Sequence, residues 1–129
     1  MTDPISDMLI RIKNAYTAGH EVTRVSYSKY KLEIAKALER GGLISVVERK
    51  GKRTRRVLEI GMLAKTGKSM RVRNVKLLSR PSRRLYTSYR DIAVSGRGGM
   101  ILISTPKGVL SGVEARRAKV GGQLIAEVW

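Results

Sequence analysis

Two stretches of this chain combine the side chains that grip a phosphodiester backbone. Arg83-Arg84-Leu85-Tyr86-Thr87-Ser88-Tyr89-Arg90 interleaves guanidinium groups with two phenols and two hydroxyls. Arginine pairs bidentately with phosphate, and tyrosine can stack on an unpaired base or bond a ribose hydroxyl. A core role with the hydroxyl at the surface competes for both phenols. The two readings balance for Tyr86, and the core role leads for Tyr89. Ser104-Thr105-Pro106-Lys107-Gly108 is the second stretch. Hydroxyls, a lysine and a glycine at a strand end allow close approach to a sugar-phosphate backbone. A helix capped at Ser111 adds free N–H groups and a positive dipole end. The same residue types also describe an ordinary surface turn, so charge elsewhere in the chain carries weight.

Catalytic chemistry finds little support. Cysteine is absent, which removes disulfides, thiolate nucleophiles and Cys-ligated metals. His20 is the single histidine, in a polar loop after a helix-ending glycine, where a plain loop histidine explains it better than a triad base. The ten acids are scattered rather than clustered as metal ligands. Gly96-Arg97-Gly98-Gly99 lacks phosphate-loop spacing, and Gly108-Val109-Leu110-Ser111-Gly112 has one residue too many for a nucleophile elbow. No enzyme, cofactor, metal or small-molecule substrate is expected.

The charge points the other way. In 129 residues, 27 Lys and Arg face 10 Asp and Glu, a net charge of +17, yet 42% of residues are hydrophobic and can build a core. Residues 49–90 hold 15 of those bases and one acid, Glu59. Solubility alone asks for a net charge of only ~2–8 in a small domain. A basic face on strands and loops implies a polyanionic partner, with nucleic acid ahead of an anionic membrane surface. No apolar run approaches the roughly 18 residues of a membrane span. The opening Met1-Thr2-Asp3-Pro4 is unlike a signal peptide, so an intracellular, cytoplasmic protein is expected.

The elements that position these residues read as an α+β fold of two small lobes, 1–64 and 65–129. Asp3 can cap a first helix with Pro4 in its first turn, and Ile5, Met8, Leu9 and Ile12 recur at helical spacing until Gly19. Asp7, Arg11 and Asn14 fall on the opposite face. A strand is expected at 22–27. A helix at 29–40 follows, capped by Ser28, with Leu32, Ile34, Ala35 and Leu38 inward and Gly41-Gly42 ending it. Strands at 43–48 and 55–60 form a hairpin around Lys50-Gly51-Lys52, which completes an α-β-α-β-β lobe. The second lobe is mostly β with one short helix. Its strand at 75–79 breaks at Ser79-Arg80-Pro81-Ser82. A turn at 96–99 precedes a buried strand, Met100 to Ile103. Ser111 and Glu114 form a capping box for a helix to about Lys119, which Gly121-Gly122 end. The closing strand, 123–129, should place Leu124, Ala126 and Val128 on one face and Ile125, Glu127 and Trp129 on the other.

Three segments in order carry a resemblance. The opening, residues 1–15 (MTDPISDMLIRIKNA), residues 103–111 (ISTPKGVLS), and the ending, Glu114-Ala115-Arg116-Arg117 with residues 120–129 (VGGQLIAEVW), resemble bacterial small-subunit ribosomal protein number eight along nearly the full chain. The resemblance implies a two-lobed α/β protein of the ribosome that binds the central domain of 16S rRNA early in assembly, beside other small-subunit proteins. It also implies repression of the chain's own operon messenger RNA through a mimic of the same helix. By position, it assigns RNA contacts to Ser104, Thr105, Lys107, Gly108, Ser111, Gly121, Gly122, Glu127, Tyr86 and Arg84. In the first lobe it assigns Thr2, Asp3, Arg11, Lys13, Asn14 and Lys29. Three residues depart from the family's pattern: Pro106 for serine, Gln123 for glutamate and Ser82 for glycine. Pro106 removes one hydroxyl and one backbone N–H from the loop. A free-standing nucleic-acid regulator and a hydrolase using Ser111 are the competing readings. The first lacks a helix-turn-helix or RRM signature and would not sediment with small subunits. The second requires an activity lost on Ser111→Ala.

Overall fold

Helical spacing and caps account for the first elements. A computed structural model describes residues 4–63, 72–80 and 82–129. Asp3 and Thr2, and the expected lobe boundary at 64/65, lie outside the described residues. The chain divides into two units, Met1–Asn74 and Val75–Trp129.

In the first unit, α1 (Pro4–Ala18) buries Met8, Leu9, Ile12, Ala15 and Tyr16 and leaves Asp7, Arg11 and Asn14 in solvent. It ends at Gly19, whose φ of 75° needs no Cβ relief. β1 (Val22–Ser26) leads to α2 (Lys29–Arg40), where the Ser28 hydroxyl accepts from Lys31 N. The inward face is Ile34, Ala35, Ala37 and Leu38; the expected Leu32 is only half-buried. Lys31 is buried instead, its ammonium donating to Ser26 Oγ at 2.9 Å. Gly42 takes the left-handed conformation (φ 77°) that ends α2, and Leu43 N then bonds back to Leu38 O at 3.0 Å.

β2 spans Val46–Lys50 and β3 Val57–Gly61, forming with β1 an antiparallel sheet in the order β1-β3-β2. β2 therefore starts three residues later than expected. Leu43 and Ile44 are buried in the irregular segment after Gly42, so their apolar character reports burial rather than pairing. α1 packs on β1 and α2 on β2. The Tyr16 hydroxyl donates to Leu43 O (2.6 Å) and accepts from Leu63 N (3.1 Å), fastening α1 to the segments after α2 and β3.

The second unit is built on β8 (Gly122–Val128). β6 (Met100–Thr105) runs along one side of it, with β7 (Gly108–Ser111) beyond. Along the other edge lie β4 (Val75–Leu77) opposite Ala126 to Val128 and β5 (Tyr86–Thr87) opposite Gly122 and Gln123. Leu78 N bonds to Ile125 O and Leu124 N to Leu85 O, so β4 and β5 act as one edge strand with an excursion between them. The buried Ser79 hydroxyl closes that excursion: it accepts from Leu85 N at 2.9 Å and donates to Leu85 O at 3.3 Å.

α3 (Gly112–Ala118) packs on β6 and β7, where Ala115 joins Ile92, Ile101 and Ile103 in the core. The half-buried Tyr89, from the short 3-10 turn Tyr89–Asp91, packs against that cluster, as the core reading of its ring required. Two expectations need correction. α3 is ended by Lys119 in the left-handed conformation (φ 56°), not by Gly121-Gly122. The register of β6 on β8 shifts after Leu102, leaving Ile125 as a bulge between Ala126 and Leu124. The bulge turns Leu124 onto the face of Ile103 and the α3 core, so it does not share a face with Ala126 and Val128.

Candidate nucleic-acid interface

β8 begins between two strands, and the sequence permits this by placing glycines there. A Cβ on Gly122 would lie 1.9 Å from Ser104 O; one on Gly121 would lie 2.2 Å from Thr87 O. The close approach aligns three strands. Gln123 is in register with Tyr86 on one side and with Ser104 on the other. Directly opposed residues share a sheet face, so a phenol, an amide and a hydroxyl form one row. Tyr86 is 69% exposed, which settles its balanced reading in favour of a surface ring.

Next to the row, Pro106 and Lys107 form the two-residue turn between the paired Thr105 and Gly108. Gly108 has φ 109°, which a side chain would strain. The Thr105 hydroxyl donates to Gly108 O (2.7 Å) and accepts from Lys107 N (3.1 Å). Its proton is thus spent inside the turn, and Thr105 acts by holding Lys107 outward. Among the described residues, the Ser104 hydroxyl, the Lys107 ammonium and the exposed Arg84 guanidinium have no side-chain partner. Ser111 accepts from Glu114 N (3.2 Å) while its own N–H reaches Glu114 Oε1 (2.9 Å), the full capping box.

Glu127 stands apart from this group. Four residues along β8, at roughly 3.3 Å per residue, it is about 13 Å from Gln123. It faces the Ile101 side of the sheet, held by Ser95 Oγ (2.7 Å) and Arg97 Nη1 (3.2 Å). In the first unit, Arg11 and Asn14 are exposed on α1 and Lys13 is half-buried; Lys29 is exposed at the first position of α2. Arg11 is partly engaged, by Asp7 at 3.2 Å and by Arg24 O at 3.4 Å.

The sequence matches the family described as ribosomal protein S8 over residues 3–129. The small ribosomal subunit protein uS8 of Thermus aquaticus is 44% identical over 138 residues, spanning 100% of this chain and 99% of that protein. Its counterpart in Dictyoglomus thermophilum is 41% identical across 100% of this chain and 98% of that protein. Its counterpart in Coprothermobacter proteolyticus is 42% identical across 98% of each. The chain belongs to the ribosomal protein S8 family.

The S8 family consists of ribosomal structural proteins, not enzymes. Ser111 accordingly has a structural task in this S8-family chain, as the cap of α3. Among the described residues no helix is long and apolar enough to cross a membrane. Sequence reading missed two residues of this arrangement. Gln123 registered only as a departure from the family's pattern, although it is the centre of the row. Ser79 registered as part of a break, although it sets where β5 resumes pairing. Neither is visible without knowing that residues 75–78 and 85–87 pair along residues 122–128.

Proposed function

We propose that this chain is a structural constituent of the small ribosomal subunit and binds the central domain of 16S rRNA directly, early in assembly. The reading is carried by one observation: Tyr86, Gln123 and Ser104 share a row beside the exposed Lys107. That row offers stacking area, paired donor and acceptor groups, and a phosphate-seeking cation. Such a set suits an irregular RNA helix with displaced bases. Arg84, Gly108, Gly121 and Gly122 complete this surface, with Thr105 and Ser111 supporting it. The exposed α1 face (Arg11, Asn14, with Lys13) and Lys29 contact further RNA. The net charge of +17 supplies affinity through counterion release. Neighbouring small-subunit proteins complete its surroundings, and the ribosome is its location. The same surface recognises the chain's own operon messenger where that RNA folds alike, and competition between the two RNAs measures it.

The test is footprinting of the purified protein on naked small-subunit rRNA. Protection confined to one helix and its neighbours is expected. Equal affinity for random polyanion and folded rRNA at physiological salt overturns the reading.

A further inference from the structure

We propose that the end of the β2–β3 hairpin is a second RNA contact, in which Arg49 and Arg56, braced on Tyr27, take backbone phosphates of an RNA helix. The proposal rests on the RNA-binding reading above and deepens it.

The hairpin sorts its charges by face. Arg24, Glu59 and Glu48 are in register across the three strands. Glu59 is bound by Lys50 at 3.0 Å and by Arg24 at 3.1 Å, and Lys50 also reaches Glu48 at 3.7 Å. The cations on that face are therefore spent on carboxylates. Arg49, Lys52, Arg53, Arg55 and Arg56 have no carboxylate partner among the described residues. The bends around Gly51 (φ 99°) hold them at one end of the sheet, where Arg55 N bonds to Lys52 O at 2.8 Å.

Tyr27 gives this end a built centre. Its N–H donates to Arg56 O at 3.1 Å, so the residue that follows β1 is tied to the hairpin. Arg49 and Arg56 place their guanidinium carbons 5.6 and 5.9 Å from its ring centroid. A guanidinium resting on a ring loses rotational freedom but keeps its N–H edge for a bidentate acceptor. Tyr27 and Arg56 are half-buried and Arg49 is exposed, so the pair is backed by protein and open outward. Arginine offers donors only, and on an RNA helix, whose major groove is deep and narrow, the accessible acceptors are backbone phosphate oxygens. A continuous polyanion neutralises all five free cations in any register, whereas a protein partner would need a matched acidic face. Lys29, already assigned to RNA, lies two residues beyond Tyr27.

The experiment measures binding of the full chain to small-subunit rRNA central-domain transcript across a salt series. Each phosphate contact contributes roughly 0.7–0.9 to the slope of log affinity against log salt. Arg49→Gln/Arg56→Gln is expected to lower the slope by about 1.4–1.8 while keeping the preference for this RNA over random RNA. Arg49→Lys/Arg56→Lys should keep the slope but bind several-fold more weakly, because the fork is gone. Lys50→Gln, which removes a paired cation, should leave the slope unchanged. An unchanged slope in the Gln double variant, with wild type binding normally, overturns this site alone. An equal drop in Lys50→Gln overturns it in favour of diffuse charge. A defect confined to polyglutamate binding reassigns the surface to a protein partner. Loss of RNA preference in the wild type itself removes the broader reading.

Discussion

Tyr86 and Ser104 sit on opposite sides of β8, each in register with Gln123. Adjacent strands are about 4.8 Å apart, so the phenol and the hydroxyl arise about 10 Å from one another with one amide between them. The seventeen residues of intervening chain include the 3-10 turn, the Gly96–Gly99 turn and most of β6. Sheet register, and not sequence proximity, brings these groups together.

Tyr86→Leu should remove stacking without disturbing the fold, because the ring is largely in solvent. Base–aromatic stacking contributes about 1–3 kcal/mol per base, so affinity for central-domain RNA should fall by about five- to 150-fold. Random RNA should be little affected. Gln123→Leu removes the amide from the centre of the same row and should also weaken specific binding. Equilibrium filter binding against both RNAs checks the pair, and equal losses on both RNAs would show that neither residue reads structure.

Lys107→Ala should weaken the specific complex more than bulk RNA binding. Thr105→Val should reproduce part of that defect with the lysine still present, since it deletes the hydroxyl that closes the turn under Lys107. A Thr105→Val protein that binds like wild type would separate the turn's geometry from recognition.

The helices were legible because their signals are local. Ser28, the periodicity of α2 and Gly42 lie within fifteen residues, and the spacing gave Lys29–Arg40 without error. The strands were legible as apolar segments, but their limits were not. Leu43 and Ile44 are as apolar as a strand requires, yet they fill the core from an irregular segment. The bulge at Ile125 reversed Leu124 for a reason that lies in β6, about twenty residues earlier, where no local pattern records it. The candidate site was legible as residue types only. Thr105 and Ser111 carry the same hydroxyl as Ser104, but turn closure and helix capping engage theirs.

Ser111→Ala separates those roles. Losing the cap should cost about 0.5–2 kcal/mol, and each kcal/mol lowers the melting temperature of a small domain by about 4–8 °C. Below the transition, RNA affinity should stay near the wild-type value. Gly122→Ala should do more harm, because its Cβ would overlap Ser104 O at 1.9 Å and force β6 from β8. Differential scanning calorimetry with RNA binding at low temperature distinguishes a weakened helix from a displaced row.

Glu59 makes stability depend on pH. The hydrogen bond from Lys50 holds its carboxyl below the usual carboxylate range, with the Lys50 charge and Arg24 acting in the same direction against partial burial. A carboxyl depressed in the folded state contributes stability above its unfolded value and loses it as pH falls through the folded one. Lys50 is raised by the same hydrogen bond and by the charges of Glu59 and Glu48, so its share is present below the ordinary lysine value and fades as pH rises through the folded one. Glu59→Gln should therefore melt below wild type at neutral pH, and the two proteins should converge as pH drops through the carboxylate range. Because the network is open to water, the difference at neutral pH should also shrink with added salt. Thermal melts of both proteins along a pH series measure this, and a gap that persists in acid would assign the loss to packing instead of charge.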